Sequence, residues 1–275
     1  MKFTSILLFA FVCTLFFSCE KEQDLSSINN AIDPSSKDYI KPVTTFGGTL
    51  NDGMTISVSS VTVAFTGTRD VIAFQYALDG GAWSPDFSEG QLTVSDLDEG
   101  SHTVSVRAKH KDGTYEENPP KRTFIVNAIP AQSIWFYPRA LKVSTGQTIT
   151  YQIRGEEISS VAGAKLTFTY DPSQIEIVSA NDLTGSLFKK NGLDATVQLL
   201  TPSSGKMVIN LALLAQQKGA AKQVSGSDVI LSLSVRAKVK ADAIITFVKA
   251  ESSLRDSNNV PLGLNEMVNG KLVIQ

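Results

Sequence analysis

From Thr55 onward the chain alternates. Thr55-Ile56-Ser57-Val58, Ser60-Val61-Thr62-Val63-Ala64-Phe65 and the stretch from Ile72 to Ala77 place apolar and polar side chains at period two. That pattern buries one face of an extended segment and wets the other, as antiparallel strands require. Turn chemistry falls between the runs, at Asn51-Asp52-Gly53, Asp79-Gly80-Gly81, Asp98-Glu99-Gly100 and Lys111-Asp112-Gly113, where glycine supplies the positive φ of tight hairpins. Further along, Leu166, Phe168 and Tyr170 share one face and Lys165, Thr167 and Thr169 the other, until Asp171-Pro172 ends the strand because proline cannot donate to a ladder. Short strands at a spacing of roughly 8–12 residues, with no long amphipathic helical pattern, predict an all-β protein made of sandwiches. The segment Val126 to Ser133, VNAIPAQS, breaks the alternation with Pro130. It divides the strands into a first sandwich over 42–129 and a second over 133–275.

The front of the chain is patterned differently. Lys2 precedes an almost wholly apolar run from Phe3 to Phe17, shorter than the roughly 20 residues that span a bilayer core, which reads as an export signal. Ser18-Cys19 follows at once, then Glu20-Lys21-Glu22-Gln23-Asp24. This junction resembles the bacterial lipobox, although Phe16 stands where that pattern prefers leucine. The resemblance implies that residues 1–18 are a lipoprotein signal peptide and that Cys19 is the lipid-attachment site and mature N-terminus. The alternative is a plain secretory or uncleaved signal with an incidental cysteine. The acidic start resembles the tether of Bacteroidetes surface lipoproteins, which implies a lipid-anchored protein of the outer membrane, exposed at the cell surface. Residues 19–41, polar and serine-rich, read as a flexible tether.

Composition narrows the chemistry. A formal net charge of −2 offers no basic face for phosphates, so no nucleic-acid partner is expected. The chain has two cysteines, Cys13 inside the signal and Cys19 at its end, so disulfides cannot hold the mature chain together. The two histidines, His102 and His110, lie without a nucleophile elbow or a thiolate beside them, and neither a catalytic triad nor a zinc site is expected. His102 counts onto one face with Val104, Val106 and Ala108, whereas His110, between Lys109 and Lys111, reads as solvated in a turn. Glu156-Glu157 are adjacent, which puts them on opposite faces of a strand or in a solvated loop rather than in a glycosidase pair. Arg255-Asp256-Ser257-Asn258-Asn259 is either a hairpin loop or a set of oxygens for calcium, the hairpin being the plainer reading. No catalytic residue, cofactor or metal site is assigned.

Two family resemblances extend this picture. In the first sandwich, Phe74-x-Tyr76-x-Leu78-Asp79-Gly80-Gly81-x-Trp83, then Leu97, Gly100-x-His102-x-Val104-x-Val106-Arg107-Ala108 and Gly113 resemble bacterial Ig-like and fibronectin type III-like modules, which implies a spacer. In the second, Pro138, Val143-x-x-Gly146-Gln147-Thr148, Val161-x-Gly163 and above all Tyr170-Asp171-Pro172 followed by Ile175-x-Ile177 look like a cohesin-type jelly roll. That family captures its protein partners on one sheet face, with an Asn and an Asp on the strand before the Tyr-Asp-Pro. Here those positions hold Gly163 and Lys165, so the familiar acidic recognition pair is absent and the surface potential changes sign. The expected function is non-catalytic engagement of an extracellular protein partner in a cell-surface or polysaccharide-handling assembly. The alternative is direct carbohydrate binding, for which Trp83, Trp135 and Tyr137 are the candidate ligand-binding residues. Trp83 otherwise packs with Tyr76 across a hairpin, and in Trp135-Phe136-Tyr137 alternation sends Phe136 one way and its neighbours the other, burial against the first sandwich being the plainer outcome.

Overall fold

Seven strands build the first sandwich: β1 (Thr44–Gly47), β2 (Met54–Ile56), β3 (Val61–Gly67), β4 (Val71–Leu78), β5 (Gln91–Val94), β6 (Gly100–His110) and β7 (Lys121–Val126). They form a three-stranded sheet in the order β1-β3-β5 and a four-stranded sheet in the order β2-β7-β6-β4. The alternation works as expected on β6, where Val104, Val106 and Ala108 are fully buried. They pack with Phe65, Phe74 and Phe124 into a single core. Phe65 meets Phe74 edge-on at 4.9 Å, an arrangement that suits ring quadrupoles. The structure is a computed structural model that describes residues 35–36, 38–182, 185–213 and 223–275. The signal segment, Cys19 and most of the tether lie outside the described residues.

Buried polar groups tie this sandwich together. His102 is 8 % exposed, with Nδ1 2.8 Å from Asp79 Oδ2 and Nε2 2.9 Å from the Asp98 carbonyl. Both partners are acceptors, so the ring donates from both nitrogens, as an imidazolium does. Burial depresses its pKa, but the Asp79 hydrogen bond, the Asp98 carbonyl and the charges of both aspartates outweigh that and hold it above the ordinary value. His110 departs from expectation. It is 1 % exposed, because its Nε2 reaches the Pro42 carbonyl at 3.0 Å and its Nδ1 reaches Thr114 Oγ1 at 3.1 Å. The entering chain covers it, and its charged sequence neighbours point elsewhere.

Among the described residues, thirteen strands build the second sandwich: β8 (Ser133–Tyr137), β9 (Ala140–Val143), β10 (Thr148–Val161), β11 (Gly163–Thr169), β12 (Ile175–Asn181), β13 (Ala195–Ser203), β14 (Lys206–Leu213), β15 (Val224–Ala237), β16 (Ala241–Phe247), β17 (Ser253–Arg255), β18 (Pro261–Leu262), β19 (Met267–Val268) and β20 (Gly270–Ile274). One sheet has the order β12-β15-β10-β8-β19, and the other the order β13-β14-β11-β16-β20-β9 with β17 and β18 attached at β11. The chain changes sheets at Pro138, between β8 and β9, so the two layers are stitched at their start. The one α-helix among the described residues, α1, is the single turn Leu187–Lys190, capped by Ser186 Oγ accepting from the Lys189 amide.

Strand β11 shows how sequence sets the layers. Leu166 and Phe168 are fully buried, while Lys165 and Thr169 are exposed. Each large apolar side chain buried this way contributes about 1.5–3 kcal/mol. Thr167 breaks the pattern, being fully buried although it points outward. The turn Lys249–Glu251 folds over it, with Thr167 Oγ1 donating to the Glu251 carbonyl at 3.1 Å and its amide donating to Ser252 Oγ at 2.9 Å. Both sandwiches, each with its own core, lie within one compact unit, Pro42–Gln275.

Candidate binding surfaces

The outer face of the eight-stranded sheet is built in tiers. Register places Gln198 opposite Asn210 and Asn210 opposite Lys165; one tier along, Leu200, Val208 and Thr167 align, and on the other side Thr196, Ala212 and Gly163. Ala195, Val197 and Leu199 turn inward onto the core, so Thr196, Gln198 and Leu200 face out on edge strand β13. Leu200 is 44 % exposed. Lys165 stands exposed between Asn210 of β14 and Ser253 of β17, and these three tiers hold no carboxylate. At Gly163 an added Cβ would lie 3.0 Å from the Leu211 carbonyl oxygen, so the backbone approach there disfavours any side chain. Arg255 of β17 aligns with Gly163, so the face offers two cations, amide donors and acceptors, and the exposed aliphatic side chain of Leu200.

The junction between the sandwiches is held by a second set. Glu99 accepts from the Ala128 amide at 3.0 Å and pairs with the Arg139 guanidinium at 3.0 Å, with both charged side chains largely covered. Asp98 Oδ1 accepts from the Arg139 amide at 2.7 Å. Burial pushes the Asp98 carboxyl above the usual carboxylate range despite that hydrogen bond and the Arg139 charge. Trp135 is 2 % exposed and meets Tyr137 edge-on at 5.5 Å. Arg154, on the neighbouring β10, lies over both rings, 4.8 Å from that of Tyr137 and 5.7 Å from that of Trp135. Phe136 faces the opposite way, into the core. Alternation was legible here, and Trp135 is buried beside Tyr137 and under Arg154, so its ring is not an open platform.

Trp83 lies apart from that pair, on the outer face of the four-stranded sheet. Its ring does not pack on Tyr76, which instead meets Phe87 edge-on at 6.1 Å. The two rings stand on opposite sides of β4, because Ser84 pins the intervening loop to the Tyr76 backbone. Trp83 is stacked by Arg107, whose guanidinium sits 4.1 Å from the indole centroid and 4.3 Å from that of Tyr115. Arg107 was identifiable only as an outward position on β6, and Tyr115 reaches it because the β6–β7 connection folds back. Of the other candidates, Glu156 accepts from Ser227 Oγ at 2.9 Å, and Glu157 sits in a bulge with φ of 43°. Asp256 Oδ1 accepts from the Asn258 and Val260 amides, each at 2.8 Å, closing the β17–β18 hairpin.

Residues 138–274 match the family model for the Cohesin domain. The second sandwich is a cohesin domain. Cohesin domains are non-catalytic protein-interaction modules. Similar solved structures include a non-cellulosomal cohesin from Archaeoglobus fulgidus, 16% identical over 53% of this chain and 92% of that one, with a TM-score of 0.41. A type I cohesin–dockerin complex from Clostridium thermocellum matches at 21% identity, 54% and 97% coverage and a TM-score of 0.43. A type II cohesin domain from the cellulosome of Acetivibrio cellulolyticus matches at 16% identity, 52% and 95% coverage and a TM-score of 0.41. No curated protein matches the chain. Within the cohesin domain, Lys165 is an outward-facing residue of β11, in register with Asn210 of β14.

Proposed function

We propose that this chain is a lipoprotein held at the outer-membrane surface through Cys19, and that its cohesin domain captures an extracellular protein partner on the outer face of the eight-stranded sheet. The observation that carries this is the tiered register of that face, which aligns Gln198, Asn210 and Lys165 beside exposed Leu200. A lysine at the end of a row of two carboxamides, with Arg255 one tier away and Leu200 exposed on the other side, suits a partner that presents a carboxylate beside an apolar contact. Partner choice therefore differs in sign from recognition through an acidic pair. The first sandwich serves as a rigid spacer between tether and binding face. Direct glycan capture by the cohesin domain has less support, since among the described residues the large apolar side chains exposed on it, Val178, Leu200, Val239, Ile244 and Val260, are aliphatic and give sugars no ring to stack on.

Two measurements test this. In the first, the full chain is used to capture proteins from the surface and secreted fractions of its own cells. Lys165→Glu is expected to weaken the captured complex at least about tenfold, the equivalent of about 1.4 kcal/mol, with Leu200→Asp acting in the same direction. Undiminished capture by both variants rules this face out. In the second, Cys19→Ala moves the chain from the membrane fraction to the soluble one. A variant that stays in the membrane shows that Cys19 is not the anchor.

A further inference from the structure

We infer that the first sandwich carries a saccharide-binding subsite walled by Trp83, separate from the protein-binding face of the cohesin domain. The geometry starts from one tier of the four-stranded sheet. Ala77, Ser105 and Lys121 are aligned across β4, β6 and β7, and the small side chains of Ala77 and Ser105 leave a groove of about 360 Å³ above them, within the range of small-ligand clefts. Trp83 walls one side. Glu117, Asn118 and Pro119, from the β6–β7 connection, line the groove with it.

The indole is held before any ligand arrives. Ser84, next to Trp83, donates its amide to the Tyr76 carbonyl at 2.8 Å and accepts the Tyr76 amide on Oγ at 3.1 Å. Arg107 stacks on the ring without lining the groove, and Gln75 Oε1 fixes its guanidinium with hydrogen bonds of 3.0 and 2.6 Å. Behind it, Tyr115 donates to Asp86 at 2.8 Å, and Lys109 reaches the same carboxylate at 2.6 Å. The hydrogen bonds from Lys109 and Tyr115 hold the Asp86 carboxyl below its usual range. A stack of Tyr115, Arg107 and Trp83 locked in this way costs a ligand little ordering of the ring.

The groove's chemistry selects the ligand. An aromatic wall accepts the apolar face of a pyranose, while the Ser105 hydroxyl, the Asn118 carboxamide and the charged ends of Glu117 and Lys121 meet its hydroxyls. Glu117 and Lys121 bring opposite charges to the same groove, so the site suits a neutral saccharide rather than an acidic one. The chain would then hold a glycan on one sandwich and a protein on the other.

Affinity electrophoresis of the full chain in native gels containing xylan, galactomannan, soluble starch, mixed-linkage β-glucan or polygalacturonate tests this. At least one neutral polysaccharide is expected to retard the chain. Trp83→Ala is expected to abolish the retardation, Trp83→Phe to keep part of it, and Asn118→Ala to weaken binding at least about threefold. Fluorescence gives a second readout. The chain has two tryptophans and Trp135 is 2 % exposed, so acrylamide quenching reports Trp83, and the matching oligosaccharide is expected to cut it at least about twofold. Retardation by polygalacturonate alone, by none of the gels, or equally for Trp83→Ala overturns the subsite. Protein capture lost with Trp83→Ala places a protein in the groove and overturns it as well, whereas capture that depends on Lys165 alone leaves the two sites independent.

Discussion

Phe136→Ala is expected to destabilise the cohesin domain by about 3–5 kcal/mol, the range for removing a buried aromatic ring. Phe136 is fully buried and is the hub of a ring cluster, tilted against Phe247 at 4.7 Å and edge-on to Tyr151 at 5.5 Å and Phe168 at 6.1 Å. These rings come from both sheets, so its loss opens a void between the layers instead of at their rim. Nothing nearby can fill that void cheaply. Gly270 approaches so closely that a Cβ there would lie 2.9 Å from Phe136 Cγ, and strands on both sides are locked in their ladders. Denaturant unfolding in a Trp83→Phe background, where Trp135 is the remaining tryptophan, measures the effect, since that ring neighbours Phe136 on β8. A loss below about 1.5 kcal/mol would mean that the sheets close over the gap and that the core is not organised around this ring.

Glu99→Ala is expected to cost a similar 3–5 kcal/mol, for a different reason. The Glu99 and Arg139 side chains are only 13 % and 11 % exposed, and deleting one member of a covered ion pair strands the other charge away from water. The Ala128 amide loses its acceptor in the same step. Replacing both members, as Glu99→Ala with Arg139→Met, is expected to recover a large part of the loss, because no unpaired charge then remains. Denaturation of the single and double variants completes the cycle. Glu99→Ala unfolding within 1 kcal/mol of the unchanged chain would show that water reaches the pair and that it does not clamp the junction.

Much of this architecture was readable along the chain. Period-two alternation located β3, β4, β6 and β11 and assigned the buried faces of β6 and β11, because in a sheet that packs on one side the side-chain period and the burial period coincide. It also separated Phe136 from Trp135 and Tyr137. Local sequence misled where a distant segment supplies the environment. His110 was expected in solvent from its lysine neighbours, yet Pro42 closes over it. Thr167 follows an outward parity but lies under the Lys249–Glu251 turn. Trp83 and Tyr76 are seven residues apart in a hairpin segment, and the pinning of Ser84 turns them to opposite sides.

What the amino-acid order determined by itself was the all-β class and the inward faces of β6 and β11. These follow from spacing and residue type, which act over a few neighbouring positions. Only the tertiary structure decided which residues share a surface: Lys165 with Asn210 and Gln198, Arg107 with Trp83 and Tyr115, Glu99 with Arg139. Such groupings depend on strand register and on loops folding back, and contacts between residues far apart in sequence are set by the packing of whole sheets rather than by any local period.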